Sequence, residues 1–481
     1  MVLFKTENLT FAYPHTTEHA LSNVNLEINK GDFIVLMGRT GSGKSTLLRL
    51  LNPVLAPFGK TEGSIEIKTK QTGYVGQNPD ITFVSENVRS ELVFALENQR
   101  MSNNDIALRL GEISSFFNLS HLLDRNISTL SGGEKATVAI AAAMINNADA
   151  VILDEPTAQL DSKSAYELIH LLKRVNDELG VTVVITSHLS DGLIDKCDRL
   201  IVLDKGSIIF DDKPENASDD VLPFYPLSAQ LFDERPITVR DAAAFAYRLS
   251  EKPLKSSSIS SEIVNLKNIT FAYEKKGRDI LEKLDFKAYE GKIHCIIGAN
   301  GNGKTTLLKI IAGIKKPYSG KVRVNGRAAY LPQNPQFLFT KDTVGEEIDE
   351  QTADKFGLGD KLGMHPYDLS GGQAQKLAMA ILSKQQYDIL LLDEPSKALD
   401  VFYKKELIAY LKALDKTIII VSHDLDFVGD IADYVSFLSD GVITIAGERR
   451  QVLSSLSYYT TQIRRITASC LTSAVSTEDL L

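Results

Sequence analysis

Gly38-Arg39-Thr40-Gly41-Ser42-Gly43-Lys44-Ser45-Thr46 is the stretch that decides how this chain is read. It sits between an apolar, strand-like run, FIVLM (Phe33–Met37), and an apolar-periodic helical run, TLLRLL (Thr46–Leu51). Gly-(x)4-Gly-Lys-Ser in a strand–loop–helix context is the spacing of a loop that cradles phosphates. Glycine lets the backbone approach the anion, and the amides at the helix start point at it. Lys44 adds a positive charge near the outer phosphates, and Ser45 adds a hydroxyl suited to Mg2+.

The design returns 260 positions later as Gly298-Ala299-Asn300-Gly301-Asn302-Gly303-Lys304-Thr305-Thr306, after HCII (His294–Ile297) and before TLLKIIA (Thr306–Ala312). Working outward, the whole chain repeats. LTFAY (Leu9–Tyr13) recurs as ITFAY (Ile269–Tyr273), and YVGQNP (Tyr74–Pro79) as YLPQNP (Tyr330–Pro335). LSGGE (Leu130–Glu134) recurs as LSGGQ (Leu369–Gln373), and VILDEPTAQLD (Val151–Asp161) as LLLDEPSKALD (Leu390–Asp400). VVITSH (Val183–His188) recurs as IIIVSH (Ile418–His423). Matches in one order mark a tandem duplication of roughly 230 residues per copy. The expected domains are a first copy with a C-terminal extension at 1–245, a Ser/Lys-rich linker at 246–262, and a second copy with its own extension at 263–481.

Bulk properties bound the function. The 481 residues carry a net charge of about -9, which argues against a broad basic surface for nucleic acid. Cys197, Cys295 and Cys470 lie far apart without metal-ligand spacing and read as reduced, packed thiols. No signal peptide is evident, and apolar runs such as VAIAAAMI fall short of the roughly 20 residues that cross a bilayer. A chain of this kind is expected to be soluble.

VILDEP and LLLDEP are buried-strand runs that end in two acids, near the crevice where α/β sheets bind ligands. Asp154 and Asp393 are the candidates for Mg2+. Glu155 and Glu394 are the candidates for orienting and deprotonating an attacking water. His188 and His423 each end a short β-branched strand and are candidate contacts to the terminal phosphate. Gln77 and Gln333 could touch Mg2+ or the water. LSGGE and LSGGQ start helices, where Ser131 with Gly133, and Ser370 with Gly372, would form a second anion site in each copy.

Together these motifs, in this order and twice, resemble the ATP-binding cassette (ABC) ATPases over nearly the whole chain. The resemblance implies an α/β fold of two tandem P-loop nucleotide-binding domains. Each would have a RecA-like α/β core, an antiparallel β subdomain and a helical signature subdomain. It implies ATP and Mg2+ as ligands, and two sites shared head to tail. One would join Lys44, Gln77, Asp154, Glu155 and His188 to Ser370 and Gly372. The other would join Lys304, Gln333, Asp393, Glu394 and His423 to Ser131 and Gly133. Tyr13 and Tyr273 match the family's adenine-stacking aromatic, and Asp161 and Asp400 match its loop facing the opposite cassette. Tethering two cassettes in one chain would raise their effective concentration to roughly millimolar.

The copies differ most between the Gln motif and the signature: 54 positions separate Gln77 from Ser131, and 37 separate Gln333 from Ser370. In ABC transporters this segment meets the membrane partner. QNPDITFVSENVRSELVFALEN (Gln77–Asn98) resembles the ATPases of energy-coupling factor (ECF) importers, with Val88, Glu91, Phe94, Glu97 and Asn98 fitting their pattern. That likeness implies an integral membrane scaffold (T component), a solute-binding membrane protein (S component) and a peripheral place on the cytoplasmic face. Glu91 and Glu347 are candidate contacts for arginines of the scaffold, the alternative being solvated acids. Other importer ATPases and soluble ABC translation factors remain rival readings.

Overall fold

The structure, a computed structural model, describes residues 1–14, 16, 18–188, 190–254, 260–274, 277–397 and 399–481. It divides into two compact units, Met1–Asp233 and Glu234–Leu481. This is earlier than the boundary expected near 245.

In the first unit, strands Leu21–Asn29, Val2–Ala12 and Lys60–Ile67 form an antiparallel sheet, in that order. Leu21–Asn29 alternates buried and exposed residues, the period of a strand with one wet face. A six-stranded sheet runs Thr72–Val75, Ala150–Asp154, Thr182–Thr186, Phe33–Gly38, Arg199–Asp204, Ser207–Asp212. All its pairs are parallel except the last. Phe33–Gly38, Ala150–Asp154 and Thr182–Thr186 are buried along their full length, which is why they appear in the sequence as unbroken apolar runs.

The second unit repeats the plan. Its antiparallel sheet orders Leu281–Tyr289, Glu262–Phe271, Ser319–Val324. Its six-stranded sheet orders Ala328–Leu331, Ile389–Asp393, Thr417–Val421, Ile293–Ile297, Tyr434–Ser439, Val442–Glu448. Alternate residues of the central strands serve two cores. Leu391 and Ile419 pack with Phe271, Leu307 and Leu308 beneath the loop-bearing helix. Leu390, Leu392, Ile418 and Ile420 pack with Leu377, Leu407 and Val428 on the other face. The expected α/β class with an antiparallel subdomain is what each unit has.

The length difference between the copies is helix. The first has α-helices Val88–Asn98 and Asn103–Phe116 between the Gln motif and the signature, where the second has the shorter Val344–Glu347 and Glu350–Lys355.

The start of the expected linker is tied to the second unit's C-terminus. Arg450, almost fully buried, donates to the carbonyl of Lys252 at 2.8 Å, to the Glu251 carboxylate at 3.3 Å and to Ser473 Oγ at 2.7 Å. The Leu481 amide donates to the Ser250 carbonyl at 2.9 Å. The middle of that linker, 255–259, lies outside the described residues.

Candidate functional site

Both glycine loops open helices, Lys44–Leu50 and Lys304–Ile311. Gly43 and Gly303 precede them with φ of 100° and 94°, the left-handed region that glycine enters without strain. A Cβ at Gly38 or Gly298 would run into the carbonyl oxygen of Leu203 or Leu438 on the neighbouring strand. Sheet and loop therefore approach so closely that only glycine fits there.

Lys44 Nζ is buried and donates to the carbonyls of Gly38 and Arg39 at 2.9 and 3.1 Å. Lys304 does the same with Gly298 and Ala299, at 2.9 and 3.0 Å. Each ammonium thus lies inside the curl of its own loop. Ser42 Oγ is buried there without a hydrogen-bond partner among the described residues.

The acids come from the strand next but one to the loop strand in each sheet, Ala150–Asp154 and Ile389–Asp393. Ser45 Oγ donates to Asp154 Oδ1 at 3.0 Å, and Thr305 Oγ1 donates to Asp393 Oδ1 at 3.1 Å. Tyr74 and Tyr330 hydroxyls reach the second oxygen of these aspartates at 3.5 and 3.2 Å. Burial pushes the Asp393 carboxyl above its ordinary range, helped by the Glu394 charge and opposed by the Thr305 and Tyr330 bonds.

The next residues break out of the strands. Glu155 and Glu394 take φ of 51° and 54°, uncommon for a non-glycine residue. Each meets the predicted histidine. His188 Nε2 lies 2.7 Å from Glu155 Oε1, and His423 Nδ1 lies 2.7 Å from Glu394 Oε2. Gln77 Nε2 donates to Glu155 Oε2 at 3.0 Å. Gln333 makes no such bond to Glu394 among the described residues, so the second copy assembles less of the predicted group.

Tyr13 and Tyr273 stand beside the loops. Their hydroxyls lie 3.0 Å from Thr46 and Thr306 Oγ1, and each ring meets Phe11 or Phe271 edge-on. Both are exposed, at 36% and 55%, so an aromatic surface remains open next to each loop.

Ser131 and Ser370 cap helices Gly132–Met144 and Gly371–Ser383 through capping boxes closed by Glu134 and Gln373. Asp161 and Asp400 cap helices Ser162–Leu179 and Val401–Lys412, accepting the amides of Ser164 and Tyr403 at 2.8 and 2.7 Å.

Sequence reasoning missed Thr186. Its hydroxyl donates to Asp154 Oδ1 at 2.9 Å and accepts the Glu155 amide at 2.8 Å. The second copy has Val421 there, and the Glu394 amide goes to the Val421 carbonyl at 2.9 Å instead. Lys397 replaces Ala158 of the first copy. Burial pushes its pKa down, against the pull of the Glu394 and Asp393 charges.

Glu91 and Glu347 have a local task. Glu91 Oε2 accepts the amides of Val84 and Ser85 at 3.0 and 2.8 Å. Glu347 Oε1 accepts those of Thr340 and, at 2.7 Å, Lys341. Each fastens the turn that follows the Gln motif.

Comparison with known proteins agrees with this geometry. The sequence pattern of the ABC transporter family matches residues 21–158 and 281–397. A "Putative ABC transporter ATP-binding protein" of Bacillus thuringiensis subsp. konkukian is 34% identical, over 98% of this chain and 97% of that one. The "Putative HMP/thiamine import ATP-binding protein YkoD" of Bacillus subtilis is 28% identical, over 94% of this chain and 92% of its own length. In structure the chain is similar to the archaeal ribosome recycling factor aABCE1, with a TM-score of 0.64 and 22% identity, over 93% of this chain and 91% of that one. That last likeness speaks to fold. With two phosphate loops, two aspartate–glutamate strand ends and two signature helices in place, the chain belongs to the ABC transporter ATP-binding family and is an ATPase of two tandem cassettes.

Proposed function

We propose that the chain is the energy-coupling subunit of an ECF-type importer for a vitamin, a vitamin precursor or a metal ion. The observation that carries this reading is the enlarged first helical segment in a copy that also brings Ser45 to Asp154, and Gln77 and His188 to Glu155. Ile81, Val84 and Phe94 of that segment are exposed, as is Phe337 of the second copy. Exposed apolar side chains gathered in one segment suit a protein partner. The thiamine-import relative supports the same direction. Among the described residues no helix is long and apolar enough to cross a membrane, so the membrane-spanning parts would come from partners, a scaffold (T component) and a solute-binding protein (S component). The chain would then sit peripherally on the cytoplasmic face, and nucleic acid has no place in this reading.

Tyr13 and Tyr273 would stack on adenine. The loops 38–46 and 298–306 wrap the phosphates, with Lys44 and Lys304 at the outer ones. A hydroxyl beside a carboxylate is a hard-oxygen pair suited to Mg2+. Ser45 with Asp154 and Thr305 with Asp393 would hold the ion, and Gln77 and Gln333 would touch it or the attacking water. Bound Mg2+ neutralises charge that builds on the phosphates during transfer. Glu155 and Glu394 orient the attacking water and take its proton. His188 and His423, held by these glutamates, reach the terminal phosphate. Ser131 with Gly133, and Ser370 with Gly372, present helix-start amides to the nucleotide bound by the opposite copy. Closure around two ATPs would move the helical segments and whatever is seated on them.

The test is capture of the chain from native membranes in mild detergent, with mass spectrometry of what accompanies it. The reading predicts a small integral scaffold together with a separate solute-binding membrane protein. Ribosomal proteins without a membrane partner would overturn it and favour a translation factor of the aABCE1 kind.

A further inference from the structure

Ser131 and Ser370 occupy the same position in the two copies but are not in the same state. The Ser131 amide and hydroxyl both donate to one oxygen of Glu134, Oε2, at 2.7 and 2.8 Å. The Glu134 amide returns a longer bond to Ser131 Oγ at 3.3 Å. In the second copy Gln373 Oε1 accepts the Ser370 amide at 3.0 Å, and the Gln373 amide reaches Ser370 Oγ at 3.4 Å. Among the described residues nothing takes the Ser370 hydroxyl proton.

A serine hydroxyl has one proton to give. Ser131 gives it to a carboxylate, and a hydrogen bond to an ionised acceptor is shorter and stronger than a neutral one. The two Ser131 bonds lower the Glu134 pKa, with Arg125 and His121 acting in the same direction, so the group is anionic at neutral pH. Lys135, next in the chain, is engaged elsewhere: its Nζ pairs with Asp80 at 2.7 Å. A phosphate arriving at Ser131 must displace a carboxylate and sit beside its charge. At Ser370 it meets a neutral amide and an uncommitted hydroxyl proton.

We propose that Glu134 makes the two ATP sites unequal, by holding the Ser131 hydroxyl and so weakening the first signature's grip on phosphate relative to the second. This rests on the reading above that each signature serves the nucleotide of the opposite copy. The weaker site is then the one built on Lys304 and Glu394. Glutamate and glutamine both close the capping box, so exchanging them alters charge while preserving the helix start.

The experiment follows release of labelled ATP, chased with unlabelled ATP, from the full chain carrying Glu155→Gln and Glu394→Gln to slow hydrolysis. Two release phases are expected. Glu134→Gln should slow the fast phase several-fold, and Gln373→Glu should quicken the slow one. A single phase unmoved by either exchange, or changes of the same sign from both, overturns the proposal. Lysine variants separate it from the pairing on which it rests. Loss of the fast phase in Lys304→Ala supports opposite-copy pairing. Loss in Lys44→Ala instead means that each signature serves its own copy, and the effect of Glu134 then stands without that pairing.

Discussion

Thr186 performs two tasks with one hydroxyl, holding Asp154 and receiving the Glu155 amide. Thr186→Val copies what the second unit has at Val421 and removes the hydroxyl that donates to the Asp154 carboxylate. A hydrogen bond to a charged group contributes about 1.5–3 kcal/mol, and denaturant unfolding should show the first unit weakened by that order. Nothing in the sequence singled Thr186 out, because a threonine inside a β-branched run satisfies strand preference alone. Asp154 and Glu155 were legible for the opposite reason: two acids at the end of an apolar strand have no packing role. Glu91 has a local bond that its sequence position does not show. An acid three residues into a helix looks solvated or free to dock, yet one of its oxygens binds the Val84 and Ser85 amides, a contact with no sequence pattern of its own.

Among the elements, strands and loop-bearing helices were plain in the sequence because burial on both faces leaves unbroken apolar runs. The stretch before the second copy was not. SEKPLKSSSISSE has linker composition, yet Glu251 accepts the Ser473 amide at 3.0 Å and the Thr472 hydroxyl at 2.7 Å, more than 200 positions away. A contact at that separation leaves no local pattern. The helix Leu425–Ile431 shows a second hidden effect. Burial, with the nearby charge of Glu478, pushes the Asp430 carboxyl up to about 6, against the pull of Lys412 and Arg449. A carboxyl raised in the folded state destabilises its charged form. Stability from this group is therefore highest at low pH and falls as pH rises from about 4 to about 6. Asp430→Asn should stabilise the chain at pH 7 by about 1–3 kcal/mol, with the gain fading toward pH 4. A denaturation series across that range checks both the sign and the window.

For the molecule as a whole, duplication was the most legible feature of all, and it set the expectation of two complete ATPase sites. The units bear out the common plan and differ in detail: Thr186 against Val421, Ala158 against Lys397, Glu134 against Gln373, long helices against short. Such differences lie between or beside the motifs, where the sequence offers no template to judge them. We propose that Glu155 and Glu394 carry the hydrolysis. Steady-state ATPase of the purified chain, beside Glu155→Gln, Glu394→Gln and the double variant, is the test. Activity should fall in each single variant and drop about 10²–10⁴-fold in the double variant, with ATP binding retained, as expected when a positioned base is removed. Full activity in the double variant would contradict it.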